Sequence, residues 1–118
     1  MTQRDKELLE RDLSCRIPYG VILNVNGISN VKLTSVSWYG EVGVDDRSTY
    51  LYSISEVKPY LFPLPSMTEE QQINLTKFVA NGIHGENILY DWYNKNHFDY
   101  RGLIEKGLAI DATGLNIY

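Results

Sequence analysis

The densest group of reactive side chains is the run Asn94-Lys95-Asn96-His97-Phe98-Asp99-Tyr100-Arg101. A histidine two residues from an aspartate, with an arginine close behind, supplies the parts of a general base and an anion clamp. The same residues also satisfy local structural rules without any substrate. Asp99 is placed to cap a short helix that follows, His97 falls at the end of a preceding helix where a cation is favoured, and Phe98 and Tyr100 anchor the turn. The structural reading is the stronger, and no residue is assigned a catalytic role.

Other reactive types lack partners. The two histidines, His84 and His97, are thirteen residues apart with no paired cysteines and no His-x-x-x-His spacing, so no metal is expected. Gly82-Ile83-His84-Gly85 lacks the flanking elements and the lysine of a phosphate loop. Cys15 is the single cysteine, which rules out an intramolecular disulfide. Its place at the end of an apolar helical pattern reads as a small buried hydrophobe rather than a nucleophile. Paired acids such as Asp45-Asp46 and Glu69-Glu70 fall at a turn and a helix start. No cofactor is expected, and the chain reads as a non-enzyme.

Aromatic residues are the more promising surface. Nine tyrosines and two tryptophans are many for 118 residues, and Trp38, Tyr39, Tyr50 and Tyr52 fall on or beside the expected strands. On a curled sheet such side chains form a groove for an extended peptide, or a stacking platform for single-stranded bases. The plainer alternative, that they fill the sheet face beneath helices, carries more weight. The candidate contact residues are therefore Trp38, Tyr39, Tyr50 and Tyr52 on the strands, and His97, Asp99 and Arg101 at the polar turn.

The elements that position these groups can be read in order. Leu8, Leu9 and Leu13 share one face of a helix from Asp5 to Cys15, while Arg4, Asp5, Lys6, Glu7, Glu10, Arg11 and Asp12 alternate in sign as a solvated face does. Val21 to Val25 changes to a strand pattern, and Asn26-Gly27 is the pair best suited to a type I′ hairpin turn. Strands follow over 31–38, 41–44 and 49–54. Four short strands in succession predict an antiparallel meander, with a small SH3-like barrel as one way for it to curl. Pro59, Pro63 and Pro65 predict a stiff extended connector. Ser66-Met67-Thr68-Glu69 and Thr68-Glu69-Glu70-Gln71 both fit a capping box opening a helix to about Ala80, with Leu75, Phe78 and Val79 inward. A further helix from about Asn87 carries Ile88, Leu89, Trp92 and Tyr93, and a last short one near Leu103 and Ile104 ends at Gly107. The expectation is one α+β domain over 1–118, with a β half at about 17–56 and an α half at about 66–107.

Composition narrows the function class. The formal net charge is -4, and the basic residues are dispersed, so wholesale binding to nucleic-acid phosphate is disfavoured. No apolar run reaches the ~18 residues of a membrane helix, and the charged N-terminus holds no signal-peptide core. A reducing cytoplasm is the expected setting.

Three blocks carry a family resemblance: Arg16-Ile17-Pro18-Tyr19-Gly20-Val21; Val57-Lys58-Pro59-Tyr60-Leu61-Phe62-Pro63-Leu64 running into Ser66-Met67-Thr68-Glu69-Glu70; and His97-Phe98-Asp99-Tyr100-Arg101-Gly102-Leu103-Ile104-Glu105-Lys106-Gly107-Leu108-Ala109. Together they resemble a group of short proteins from gut anaerobic bacteria and their prophages and mobile elements. In that group an Arg-like residue often stands where this chain has Phe62. No activity comes with the group, so the resemblance carries over no catalytic residue. What it implies is a bacterial accessory protein acting by binding, an analogy from setting alone. The leading expectation is thus a non-enzymatic binding or adaptor protein with a protein or peptide partner. Its alternatives are a nucleic-acid accessory protein and a small hydrolase or transferase centred on His97 and Asp99.

Overall fold

A computed structural model describes residues 1–45, 51–81 and 88–118. The first helix, α1, spans Gln3–Arg16 and starts two residues earlier than its apolar spacing predicts. A capping box explains the extension: Thr2 Oγ1 accepts from the Asp5 amide at 3.1 Å while Asp5 Oδ2 accepts from the Thr2 amide at 3.4 Å. Pro18 then enters a single 3-10 turn at Ile17–Tyr19, and Gly20, at φ +70°, swings the chain away in a left-handed conformation that a side chain would resist.

The hairpin forms as its turn residues dictate. Strands β1 (Ile22–Val25) and β2 (Ile28–Val36) flank Asn26 and Gly27, whose φ angles of +47° and +87° match the positive values a type I′ turn needs. β3 (Glu41–Val44) pairs antiparallel with β2, and β4 (Tyr52–Ser53) pairs antiparallel with β3. Of the strand expected over 49–54, only Tyr52 and Ser53 pair; residues 49 and 50 lie outside the described residues.

The proline segment departs from expectation. Val57–Pro63 is not a connector but a seven-residue strand, β5, inside the sheet. It runs antiparallel to β1, with Pro59 opposite Leu23, and parallel to two short strands, β6 (Phe98–Asp99) and β7 (Ile110–Asp111). Proline is tolerated in a strand where its missing N–H faces no acceptor, and β7 joins β5 only from Tyr60 onward. The sheet order is β4-β3-β2-β1-β5-β6, with β7 also on β5. The four expected strands do pair in succession as an antiparallel meander, but β5, β6 and β7 extend it into a larger mixed sheet, in place of a small barrel.

Helix α2 spans Glu69–Asn81, and the second of the two expected capping boxes opens it. Thr68 Oγ1 accepts from the Gln71 amide at 3.1 Å and Gln71 Oε1 accepts from the Thr68 amide at 2.9 Å. Leu75 and Phe78 are half-buried as expected, but Val79 is exposed, as is Ile73. α3 spans Ile88–Lys95 and buries Trp92. The expected last helix is a single turn: the amides of Gly107 and Leu108 bond back to the carbonyls of Ile104 and Leu103 at 3.1 and 2.9 Å, with Gly107 at φ +73°.

The core sits between α1 and the sheet. Leu9 and Leu13 form one buried cluster with Val21, Leu23, Leu33, Val42, Val57 and Leu61, which Leu103 and Leu108 also join. Chain from both halves of the sequence therefore builds one sheet and one core, which fixes the Phe98–Arg101 turn against the end of α1. No helix among the described residues is long and apolar enough to cross a membrane.

Candidate functional site

Where α1 ends, the helix buries charge. Leu9, Asp12, Leu13 and Arg16 recur at spacings of three and four and all face inward; Asp12 and Arg16 are each 0% exposed. Arg16 donates through Nε to Asp12 Oδ2 at 2.8 Å and through Nη2 to Asp12 Oδ1 at 3.2 Å, the bidentate geometry of a guanidinium on a carboxylate. Nη2 also donates to the Phe98 carbonyl at 2.7 Å, which ties α1 to β6. Asp12 Oδ1 accepts a further bond from Arg101 Nε at 3.2 Å. The expectation that Asp12 belongs to a solvated face is thus overturned. Leu9 and Leu13 already occupied that face in the pattern, and a charge at i+3 from each was the available signal.

Around this ion group stand stacked rings. The guanidinium carbons of Arg16 and Arg101 lie over the Tyr100 ring, 5.3 and 5.1 Å from its centroid. This ring stacks on Tyr93 at 5.6 Å and contacts Tyr90 at 5.1 Å. Its hydroxyl donates to Oδ1 of the buried Asn94 at 2.9 Å, so the ring cannot rotate freely. Beside the rings opens a cleft of about 780 Å³, walled on one side by Cys15, Pro18 and Tyr19 and on the other by Tyr90, Asp91 and Asn94, with Tyr100 and Arg101 joining the two. Cys15 is exposed here, contrary to its reading as a buried hydrophobe. The helix places it one residue from the Arg16 that turns inward.

The other residues of the polar turn do not line this cleft. Both oxygens of the buried Asp99 are occupied: Oδ1 accepts from the Leu103 amide and Oδ2 from the Ile104 amide, each at 3.0 Å. That is the expected capping role, served on a single turn rather than a helix. His97 does end α3, at φ +63°, but not as a cation. Burial, with the Arg16 charge adding to it, lowers its pKa from 6.5 to about 4. Its ring lies flat against Tyr118, centroids 3.7 Å apart, and its Nδ1 is buried with no hydrogen-bond partner among the described residues. Tyr118 in turn bridges two strands: its hydroxyl accepts from the Ile22 amide at 2.9 Å and donates to the Tyr60 carbonyl at 2.8 Å. Burial pushes this phenol well above its usual range.

The strand aromatics separate. Trp38 and Tyr39 sit not on a sheet face but in the Ser37–Gly40 turn between β2 and β3, packed edge to face at 5.2 Å. Trp38 is 90% exposed. Tyr52 packs against the core, and Tyr50 lies outside the described residues. Among the described candidates, Arg101 alone reaches the cleft; Tyr19, Tyr90, Asn94 and Tyr100 line it with Arg101, and the buried Asp12 and Arg16 lie beneath it. Those six are scattered over ninety residues, and only Asp12 and Arg16 left a local trace in the sequence. Comparison with protein-family models, with curated proteins and with solved structures finds no match.

Proposed function

We propose that this protein acts by binding rather than turnover, as an adaptor that takes a peptide segment of a protein partner in the tyrosine-lined cleft between α1 and α3. One observation carries the reading: the Arg101 guanidinium is fastened through Nε to the buried Asp12 at 3.2 Å and lies over Tyr100 at the cleft wall. Tyrosine and arginine held in place before contact are the residue types that dominate interface energies, because they offer area and hydrogen bonds with little rotamer freedom left to lose. A cleft of about 780 Å³ suits a few residues of peptide. The turn's base and acid are otherwise engaged, His97 as a neutral stacked ring and Asp99 as a cap, which favours binding over a hydrolase or transferase centred on them. A net charge of -4 and the acidic Asp91 at the rim favour a protein partner over nucleic acid. The three motif blocks fit an accessory protein of a phage or mobile element.

A second surface is favoured by Trp38. A large ring 90% exposed gains little from folding, and with Tyr39 packed against it the pair offers aromatic area of the kind that interfaces bury.

The test is a random peptide display selection on the full chain, mapped by amide resonances. Selected peptides should shift Tyr90, Asn94 and Arg101 and slow alkylation of Cys15, the only thiol in the chain. Peptides that shift only Trp38 and Tyr39 would transfer the function to the hairpin tip. Failure to select any peptide would end both readings.

A further inference from the structure

The group beneath the cleft holds two cations for one anion. Arg16 and Arg101 both bond Asp12, and among the described residues no other ion pair reaches either guanidinium. Arg16 is fully buried, and its Nη1 has no hydrogen-bond partner there. A buried charge without full compensation is costly in a medium that screens weakly, so the site gains from an added negative charge. Arg101 is the member that reaches the cleft. Its Nε is turned to Asp12, and its side chain, 22% exposed, lines the opening.

We infer that the cleft recognises a side-chain carboxylate: its occupant is an acidic peptide segment whose Asp or Glu pairs with Arg101 while a neighbouring ring or apolar side chain lies against Tyr90 and Tyr100. The inference rests on the reading of the cleft as a peptide site and adds the chemistry of its occupant. Charge count selects a monoanion. The Asp12, Arg16 and Arg101 group carries an excess of one positive charge, which one carboxylate balances, and Asp91 in the lining opposes the second negative charge of a group such as phosphate. Terminal carboxylates are commonly held by clustered backbone N–H groups, whereas the partner here is the Arg101 guanidinium, which favours a side-chain carboxylate.

The experiment uses the full chain and two tetrapeptides blocked at both ends, Ala-Tyr-Glu-Ala and Ala-Tyr-Gln-Ala. The Glu peptide should slow Cys15 alkylation and shift the Arg101 Nε–H resonance, with the Gln peptide about tenfold weaker, as expected when one charge-assisted hydrogen bond is lost. Arg101→Met should bring the Glu peptide down to the affinity of the Gln peptide. Should that variant fold poorly, the wild type carries the test through salt: added chloride should erode the Glu preference and leave Gln binding unchanged. Equal affinity for the two peptides would overturn the carboxylate and leave the cleft reading standing. Inorganic phosphate shifting the same resonances at lower concentration, or a Gln peptide with a free C-terminus outbinding the Glu peptide, would overturn the side-chain carboxylate. If neither tetrapeptide binds, the inference falls; the cleft reading falls with it only if the display-selected peptides also miss the cleft.

Discussion

Replacing Asp12 by Asn tests the charge arrangement on which the site depends. The variant keeps the shape of the side chain and removes the anion that, among the described residues, Arg16 and Arg101 share. Three charge-assisted contacts weaken together, at 2.8, 3.2 and 3.2 Å, and Arg16 is left fully buried with the Phe98 carbonyl as its remaining strong acceptor. Removing one partner of a buried ion pair costs about 3–5 kcal/mol. For a domain of this size that corresponds to a fall of roughly 12–20 °C in melting temperature, taking about 4 °C per kcal/mol. Arg16→Met should cost distinctly less, about 1–2 kcal/mol, because it retains much of the side-chain volume and leaves Asp12 paired with Arg101 in a balanced couple. Chemical denaturation of both variants at neutral pH, read by Trp fluorescence, measures the asymmetry. A smaller loss for Asp12→Asn than for Arg16→Met would refute the claim that cations exceed anions at this site.

Two further outcomes follow from the same end of the molecule. His97 titrates near 6.5 when unfolded and at about 4 when folded, so between those values the unfolded chain binds the extra proton. Stability from this ring is complete above pH 6.5, declines as pH falls towards 4, and levels off below it. After allowance for a ring that is only partly buried, the loss is about 1–2 kcal/mol. His97→Asn, whose side chain tolerates the positive φ, should reduce the pH dependence of stability in that window; identical profiles for variant and wild type would contradict the assignment. Tyr118→Phe removes the hydroxyl between Ile22 and Tyr60 and leaves a donor and an acceptor unpaired, at about 1–3 kcal/mol. Faster hydrogen exchange at the Ile22 amide should accompany the loss, and unchanged exchange would argue that the bridge is dispensable.

Much of the local structure was legible because it depends on neighbours in the chain. The Asn26-Gly27 turn, the Thr68 capping box and the Asp99 cap each follow from side chains within a few residues of the backbone groups they satisfy. The α+β class with an N-terminal helix followed from the change of apolar period near Pro18. The proline segment is ambiguous in the sequence because chain stiffness and strand pairing both favour an extended backbone. Only the partner across the gap, Leu23 opposite Pro59, tells a strand from a connector.

Composition and spacing by themselves determined the class of fold, the turns and caps, and the lack of any contiguous catalytic signature. Tertiary structure alone decided which charges are buried, that Cys15 faces outward, and that tyrosines from residues 19, 90 and 100 share one cleft with Arg101. The physical reason is range. Hydrogen bonds of turns and caps act between residues close in sequence, whereas the pairing of Asp12 with Arg101, eighty-nine residues apart, exists only after α1 and the Phe98–Arg101 turn have packed on the same sheet.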